Sequence, residues 1–174
     1  MNHAKAKVRK ARARMLILAL EKLFPEAGMI LEWGNPWELV VAVELSAQCT
    51  DVMVNKITKT LFKKYKTLND YVNADPREFE KDIRSSGFYR NKTKNILAAA
   101  RMVHNIYKGR VPESMDEILK LPGVARKTAN VVLGNAFNIF EGIAVDTHVK
   151  RFAIQFDLTD FTDPVRAFVK GRFN

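Results

Sequence analysis

Cysteine and histidine are scarce in this chain of 174 residues: there is one Cys and there are three His. A single Cys excludes an internal disulfide and fits a reducing compartment. With so few soft ligands and no cluster of them, no metal site is expected. No apolar run approaches the length that spans a membrane. The start, Met1-Asn2-His3-Ala4-Lys5-Ala6-Lys7, lacks the apolar core of a signal peptide. A cytoplasmic protein is expected, nucleoid-associated if prokaryotic, without membrane contact and monomeric. Internal repeats and low-complexity segments are missing too, and so is any strand signal. Val40-Val41-Ala42-Val43 is apolar, but it sits inside a capped helical segment. Acidic residues are outnumbered, 19 against 29 Lys and Arg, for a formal charge of +10. That balance favours a polyanionic partner, with simple solubility as the alternative.

What remains is helical punctuation. Residues 3–24 read as a basic amphipathic helix: Lys5, Lys7, Arg9, Lys10, Arg12 and Arg14 precede Leu16, Ile17, Leu20 and Leu23, and Pro25 stops it. Its cations are either a solvated face or a stripe facing a polyanion. Asn35-Pro36 is an N-cap followed by Pro in the first turn. The helix it opens, 37–47, is almost wholly apolar and should cross the core. Gln48 follows at its end, and Thr50 caps the next helix, 51–65. Cys49, between them, reads as a small buried residue. Thr67 caps a short helix through Val72. Asp75-Pro76 opens another that ends near Gly87, a residue suited to a helix C′ position. Phe88-Tyr89-Arg90-Asn91-Lys92 then sets aromatics beside cations. Exposed rings can wedge into a base stack while cations hold phosphates; the alternative is that both rings pack into the helix junction. A long helix, 91–108, carries Ile96, Ala99, Ala100, Val103 and Ile106 on one face. Lys92 and Lys94 oppose the dipole at its start, which hints at a bound phosphate.

Two motifs carry the chemistry. Leu121-Pro122-Gly123-Val124-Ala125-Arg126-Lys127-Thr128 reads as a tight hairpin between two helices. The first, 114–119, is opened by Ser114 and Glu117 as a capping box; the second has Ala129, Val132, Leu133 and Ala136 at helical spacing. Backbone N–H groups of Gly123, Val124 and Ala125 at such a turn suit a phosphate, and they position it without reading sequence. Ala125 is tolerated close to a phosphate only if its φ is negative. Downstream, Ala144-Val145-Asp146-Thr147-His148-Val149 places Asp146 at a helix N-cap. Lys127 lies in the first turn of its helix beside Arg126. The positive dipole end and the neighbouring cation both disfavour a charged amine there, as a nucleophile requires. From the residues alone, Lys127 equally suits a phosphate contact, Asp146 a plain cap, and Gln48 a capping amide. His148 is a structural residue or a DNA contact.

The paired motifs resemble those of the helix-hairpin-helix DNA glycosylases of base-excision repair, the endonuclease III branch most closely, over about residues 36–158. The resemblance implies an all-α, helix-hairpin-helix glycosylase fold. Its first part is a six-helix, barrel-like domain over 30–143, and its second an incomplete helical domain made of 1–29 with 144–174. It implies Lys127 as nucleophile and Asp146 as its electrostatic and base partner. Gln48 then fills the gap left by an extruded base and Phe88 is the intercalating wedge. Tyr89, Arg90, Lys92, Leu121, Gly123, Val124, Ala125, Arg126, Thr128 and His148 complete the expected DNA surface. Adenine-removing relatives lack a Lys at this position, so Lys127 favours a glycosylase with lyase activity. The implied partner is duplex DNA with a damaged base or an abasic site.

One departure stands out. The family closes its second domain with further helices and a four-Cys iron–sulfur site, whereas this chain stops at Asn174 with one Cys. A shortened form is expected, without cofactor in this chain, ending in a short basic tail, 165–174. The resulting expectation is a bifunctional glycosylase and AP lyase acting on oxidised pyrimidines. The alternatives are a hairpin module that binds DNA without chemistry, an inactive truncated glycosylase, and a glycosylase for another lesion.

Overall fold

The computed structural model of the chain describes residues 3–160, and the basic tail lies outside them. The described residues are all-α, as expected. The chain divides into two compact units: Met29–Ala144, and Met1–Gly28 with Val145–Asn174.

In the unit Met29–Ala144 the central element is α2 (Pro36–Ser46), whose Leu39, Val40, Val41, Ala42 and Leu45 are fully buried. Around it pack α3 (Asp51–Lys64), α6 (Tyr89–Asn105) and α8 (Arg126–Phe137). The short helices α4 (Leu68–Val72) and α5 (Pro76–Asp82) lie against α6, and α7 (Met115–Ile118) against α8. Caps set these boundaries. The side chains of Asn35, Thr50, Thr67, Asp75 and Ser114 each accept a backbone N–H in the first turn of the helix they precede. Trp37, Tyr65, Tyr71 and Phe79 form an aromatic knot, with neighbouring ring centroids 5.2–5.9 Å apart. Offset and edge-on contacts of this kind add to what burial alone contributes.

Three local expectations change. The helix α6 starts at Tyr89 and stops at Asn105, leaving Ile106 at its C-cap and largely exposed. The chain turns there because Lys108 and Gly109 both take positive φ, and the Gly109 amide bonds back to the Val103 carbonyl at 2.9 Å. The capping box at α7 is half formed. Ser114 Oγ accepts the Glu117 amide, but the Glu117 carboxylate binds Tyr107 Oη and Lys120 Nζ, both at 2.6 Å. After α5 comes a 3₁₀ turn, Arg84–Ser86, before Gly87 at φ +69°.

In the other unit, α1 (His3–Leu23) and α9 (Thr147–Gln155) are described. Arg9 grips the chain that follows α9: it bonds the Asp157 carbonyl at 3.0 Å and the carboxylates of Asp157 and Asp160 at 2.7–2.8 Å. The guanidinium holds the Asp157 carboxyl down at about 2, and Asp160 lower still. Several α1 cations are therefore committed within the protein rather than left for a polyanion: Lys5 pairs with Asp160 and Arg12 with Asp157. The apolar residues of α1 are not gathered on a buried face, since Ile17, Leu20 and Leu23 are all exposed.

Candidate nucleic-acid interface

The hairpin between α7 and α8 is anchored by side chains that point inward. Leu121 and Val124 are buried, and the Val124 amide closes a turn onto the Leu121 carbonyl at 3.1 Å. The Leu121 amide is spent in the same way on the Ile118 carbonyl at 3.1 Å, so the phosphate contact expected of Leu121 and Val124 fails: their side chains are buried and their N–H groups are used within the turn. Between them Gly123 has φ +83°, a conformation L side chains rarely adopt. Ala125 is exposed and serves as N-cap of α8 with φ −88° and ψ 168°. Its methyl is therefore unstrained. Arg126 and Lys127 are exposed in the first turn of α8, and Thr128 is half-buried.

Helices α2, α3, α4, α5, α7 and α9 all have a side chain accepting at their N-terminus. Among the α-helices whose N-caps are described, α8, capped by Ala125, and α6, capped by Phe88, do not. Both begin at stretches the sequence singles out for DNA. A helix start without a carboxylate or hydroxyl acceptor keeps its dipole open to an external anion.

Phe88 is 64% exposed and sits in the left-handed region at φ +48°. The ring is therefore not packed into the helix junction. Tyr89 is half-buried and the exposed Arg90 guanidinium lies 5.7 Å from its ring centroid. Gln48, exposed in the link between α2 and α3, is likewise at positive φ, +54°. Cys49 beside it is half-buried.

Lys92 is a correction. The phosphate contact expected of it fails because its side chain is buried, with Nζ donating to the Leu45 and Ser86 carbonyls at 2.8 Å each. Its cation answers one carbonyl in the last turn of α2 and one in the 3₁₀ turn Arg84–Ser86, so no external anion is needed to explain it. Lys94, two residues on, is exposed.

Asp146 belongs to the other unit. It is the N-cap of α9, and Oδ1 accepts the amides of His148 and Val149 at 2.9 Å each. The cap half of its expected role is thereby explained. His148 is exposed in the first turn of α9.

One residue was missed from sequence: Glu44. It lies in the last turn of α2 and is buried, its Oε1 has no hydrogen-bond partner, and burial pushes its carboxyl up to about 8. A Cβ built on Gly123 would come within 2.8 Å of the Glu44 carboxyl carbon. The signal was present: an acid in the otherwise apolar run Leu39 to Leu45.

Comparison with known proteins bears on the same stretches. A family model described as HhH-GPD superfamily base excision DNA repair protein matches residues 41–168. An endonuclease III of Synechocystis is 51% identical over 158 residues, which are 91% of this chain and 72% of that protein. The endonuclease III of Bacillus subtilis is 52% identical over 143 residues, 82% of this chain and 65% of its own length. Among solved structures, a non-covalent endonuclease III–DNA complex superposes with TM-score 0.76 at 50% identity, covering 86% of this chain and 67% of that one.

Proposed function

The chain belongs to the HhH-GPD superfamily of base excision DNA repair proteins, and from that premise we propose that it is a DNA glycosylase with AP lyase activity, acting on oxidised pyrimidines in duplex DNA. The observation that carries this reading is the joint presence of a hairpin helix without a side-chain cap, bearing exposed Lys127, and of Asp146 capping α9, in a chain half identical to endonuclease III. The chain spans 72% and 65% of the two relatives compared above, so the activity is proposed for the segment in hand. No described helix is long and apolar enough to cross a membrane; a cytoplasmic or nucleoid location and a monomeric state are part of the proposal.

In this reading the damaged nucleotide leaves the stack, because C1′ is out of reach inside a duplex. The Gly123 and Ala125 amides and Arg126 hold phosphates. Phe88 wedges into the stack and Gln48 fills the space the extruded base leaves. The Lys127 amine attacks C1′ as the glycosidic bond breaks, with its electron pair leaving on the base. The Asp146 carboxylate stabilises the positive charge that develops at the sugar. Opening of the sugar yields an iminium between Lys127 Nζ and C1′. Loss of a C2′ proton then expels the 3′ phosphate, and hydrolysis frees the lysine.

A 4Fe–4S cluster takes four thiolates, and this chain supplies only Cys49, between α2 and α3. The residues present do not fit that group, and no step above passes through it.

The test is borohydride trapping on a duplex with one abasic site. Wild type should give a covalent adduct and Lys127→Ala none. An adduct that survives Lys127→Ala, or retained binding with no adduct in either protein, would remove the lyase assignment. The second result would leave a hairpin that only grips DNA. A panel of single-lesion duplexes tests the choice of oxidised pyrimidines.

A further inference from the structure

The two residues assigned to the gap in the duplex share a backbone feature. Gln48 at φ +54° and Phe88 at φ +48° both occupy the left-handed region, which disfavours a residue with a Cβ by roughly 1–2 kcal/mol. Such conformations persist only where the surroundings hold them. Neither turn is fixed by a side-chain cap of its own: Phe88 makes none for α6, and Gln48 precedes the Thr50 cap of α3.

One side chain reaches both turns. Lys92 Nζ donates to the Leu45 carbonyl, in the last turn of α2 just ahead of Gln48, and to the Ser86 carbonyl, in the 3₁₀ turn just ahead of Phe88. The side chain is 6% exposed. No carboxylate among the described residues forms an ion pair with it. Burial pushes its ammonium down from the ordinary lysine range, so its charge is held there against a desolvation penalty. Filling space does not require that penalty, since an apolar side chain of the same length would pack without it. Two charge-assisted bonds, to carbonyls three residues before Gln48 and two residues before Phe88, are what the buried ammonium adds.

We propose that Lys92 is a positioning residue that locks the α2–α3 link and the loop before α6 to one another, so that Gln48 and Phe88 are presented as a pair at fixed spacing. The proposal rests on the reading of those two residues as the ones that enter the duplex. Lys92 itself touches no DNA. Its effect falls on discrimination between damaged and intact duplex and leaves the hairpin's hold on phosphates untouched.

The experiment compares the wild-type chain with Lys92→Met, Lys92→Gln, the double variant Q48A/F88A, and the triple variant that adds Lys92→Met. Each binds a duplex carrying one tetrahydrofuran abasic analogue with 2-aminopurine opposite it, and an intact duplex of the same sequence. Thermal melts run alongside. Q48A/F88A should lose about tenfold or more of the preference for the abasic duplex, together with the 2-aminopurine signal. Lys92→Met should lose a comparable share and the same signal, with intact-duplex affinity unchanged. The triple variant should lose no more than the double, which is the non-additivity of residues acting as one unit.

Additive loss in the triple variant, or a Lys92→Met protein that keeps both preference and signal, overturns the proposal. So does failure of both Lys92 variants to fold while Q48A/F88A folds, since Lys92 would then serve the stability of the whole unit. If Q48A/F88A keeps full preference, the fault lies in the assignment of Gln48 and Phe88, and the positioning role falls with it.

Discussion

The carboxyl group of Glu44 lies directly beneath Gly123, so that the last turn of α2 forms the floor of the hairpin. An added Cβ at Gly123 would stand 2.8 Å from the Glu44 carboxyl carbon and 3.0 Å from Asn95 Cβ. The central buried helix and the hairpin are therefore in contact through one acid and one glycine.

Replacing that glycine meets two penalties at once. The backbone is at φ +83°, and the space a methyl needs is occupied. Gly123→Ala should destabilise the protein by about 2–4 kcal/mol, summing left-handed strain and overpacking. A thermal melt reads this directly. Glu44→Ala in the same chain should recover the overpacking share and leave the strain. Full additivity of the two changes would show that the carboxyl yields without effort and that strain alone sets the loss.

Glu44 also makes a pH prediction. Its carboxyl titrates near 8 when folded, against about 4.5 as the ordinary value, because burial penalises the charged form. The folded chain binds a proton that the unfolded chain has lost, so the contribution to stability is fully present below about 4.5 and is lost as pH rises towards 8. Glu44→Gln keeps the shape and removes the titration. Its stability advantage over wild type should be small at pH 5 and grow by roughly 3–4 kcal/mol by pH 8. Urea midpoints across that range measure it. Parallel pH profiles for the two proteins would mean that Glu44 is ionised and solvated in solution.

Much of this arrangement was legible in the sequence, because caps and breakers act locally. Asn35-Pro36, Thr50, Thr67, Asp75-Pro76 and Ser114 each start a helix where a short polar side chain reaches an amide of the first turn. The hairpin was legible for the same reason, since Pro122-Gly123 admits few backbones. What could not be read was how a long side chain spends its charge. Lys92 and Lys94 look alike at the start of α6, yet one threads inward to two carbonyls and the other stays exposed. Periodicity separates them only weakly, because the carbonyls that receive Lys92 come from elements that meet after folding. Arg9 teaches the same point: its partners Asp157 and Asp160 are far away in sequence. Glu44 was hidden differently, by the assumption that an apolar helix buries only apolar groups.

Asp146 allows its two roles to be separated by substitution. As a cap it accepts two amides through one oxygen, Oδ1. Asn caps a helix about as well as Asp, so Asp146→Asn should melt within about 0.5 kcal/mol of wild type. Asp146→Ala loses the acceptor as well and should be destabilised by about 1 kcal/mol. Catalysis responds to charge rather than to capping. If the carboxylate stabilises the cationic sugar, both variants should lose roughly a hundredfold or more in single-turnover rate, since that is the scale on which one electrostatic group acts. The diagnostic comparison is therefore Asp146→Asn, where stability holds and rate falls. Equal, small losses of rate in step with stability would make Asp146 a cap alone, and would pass the burden of charge stabilisation to another group.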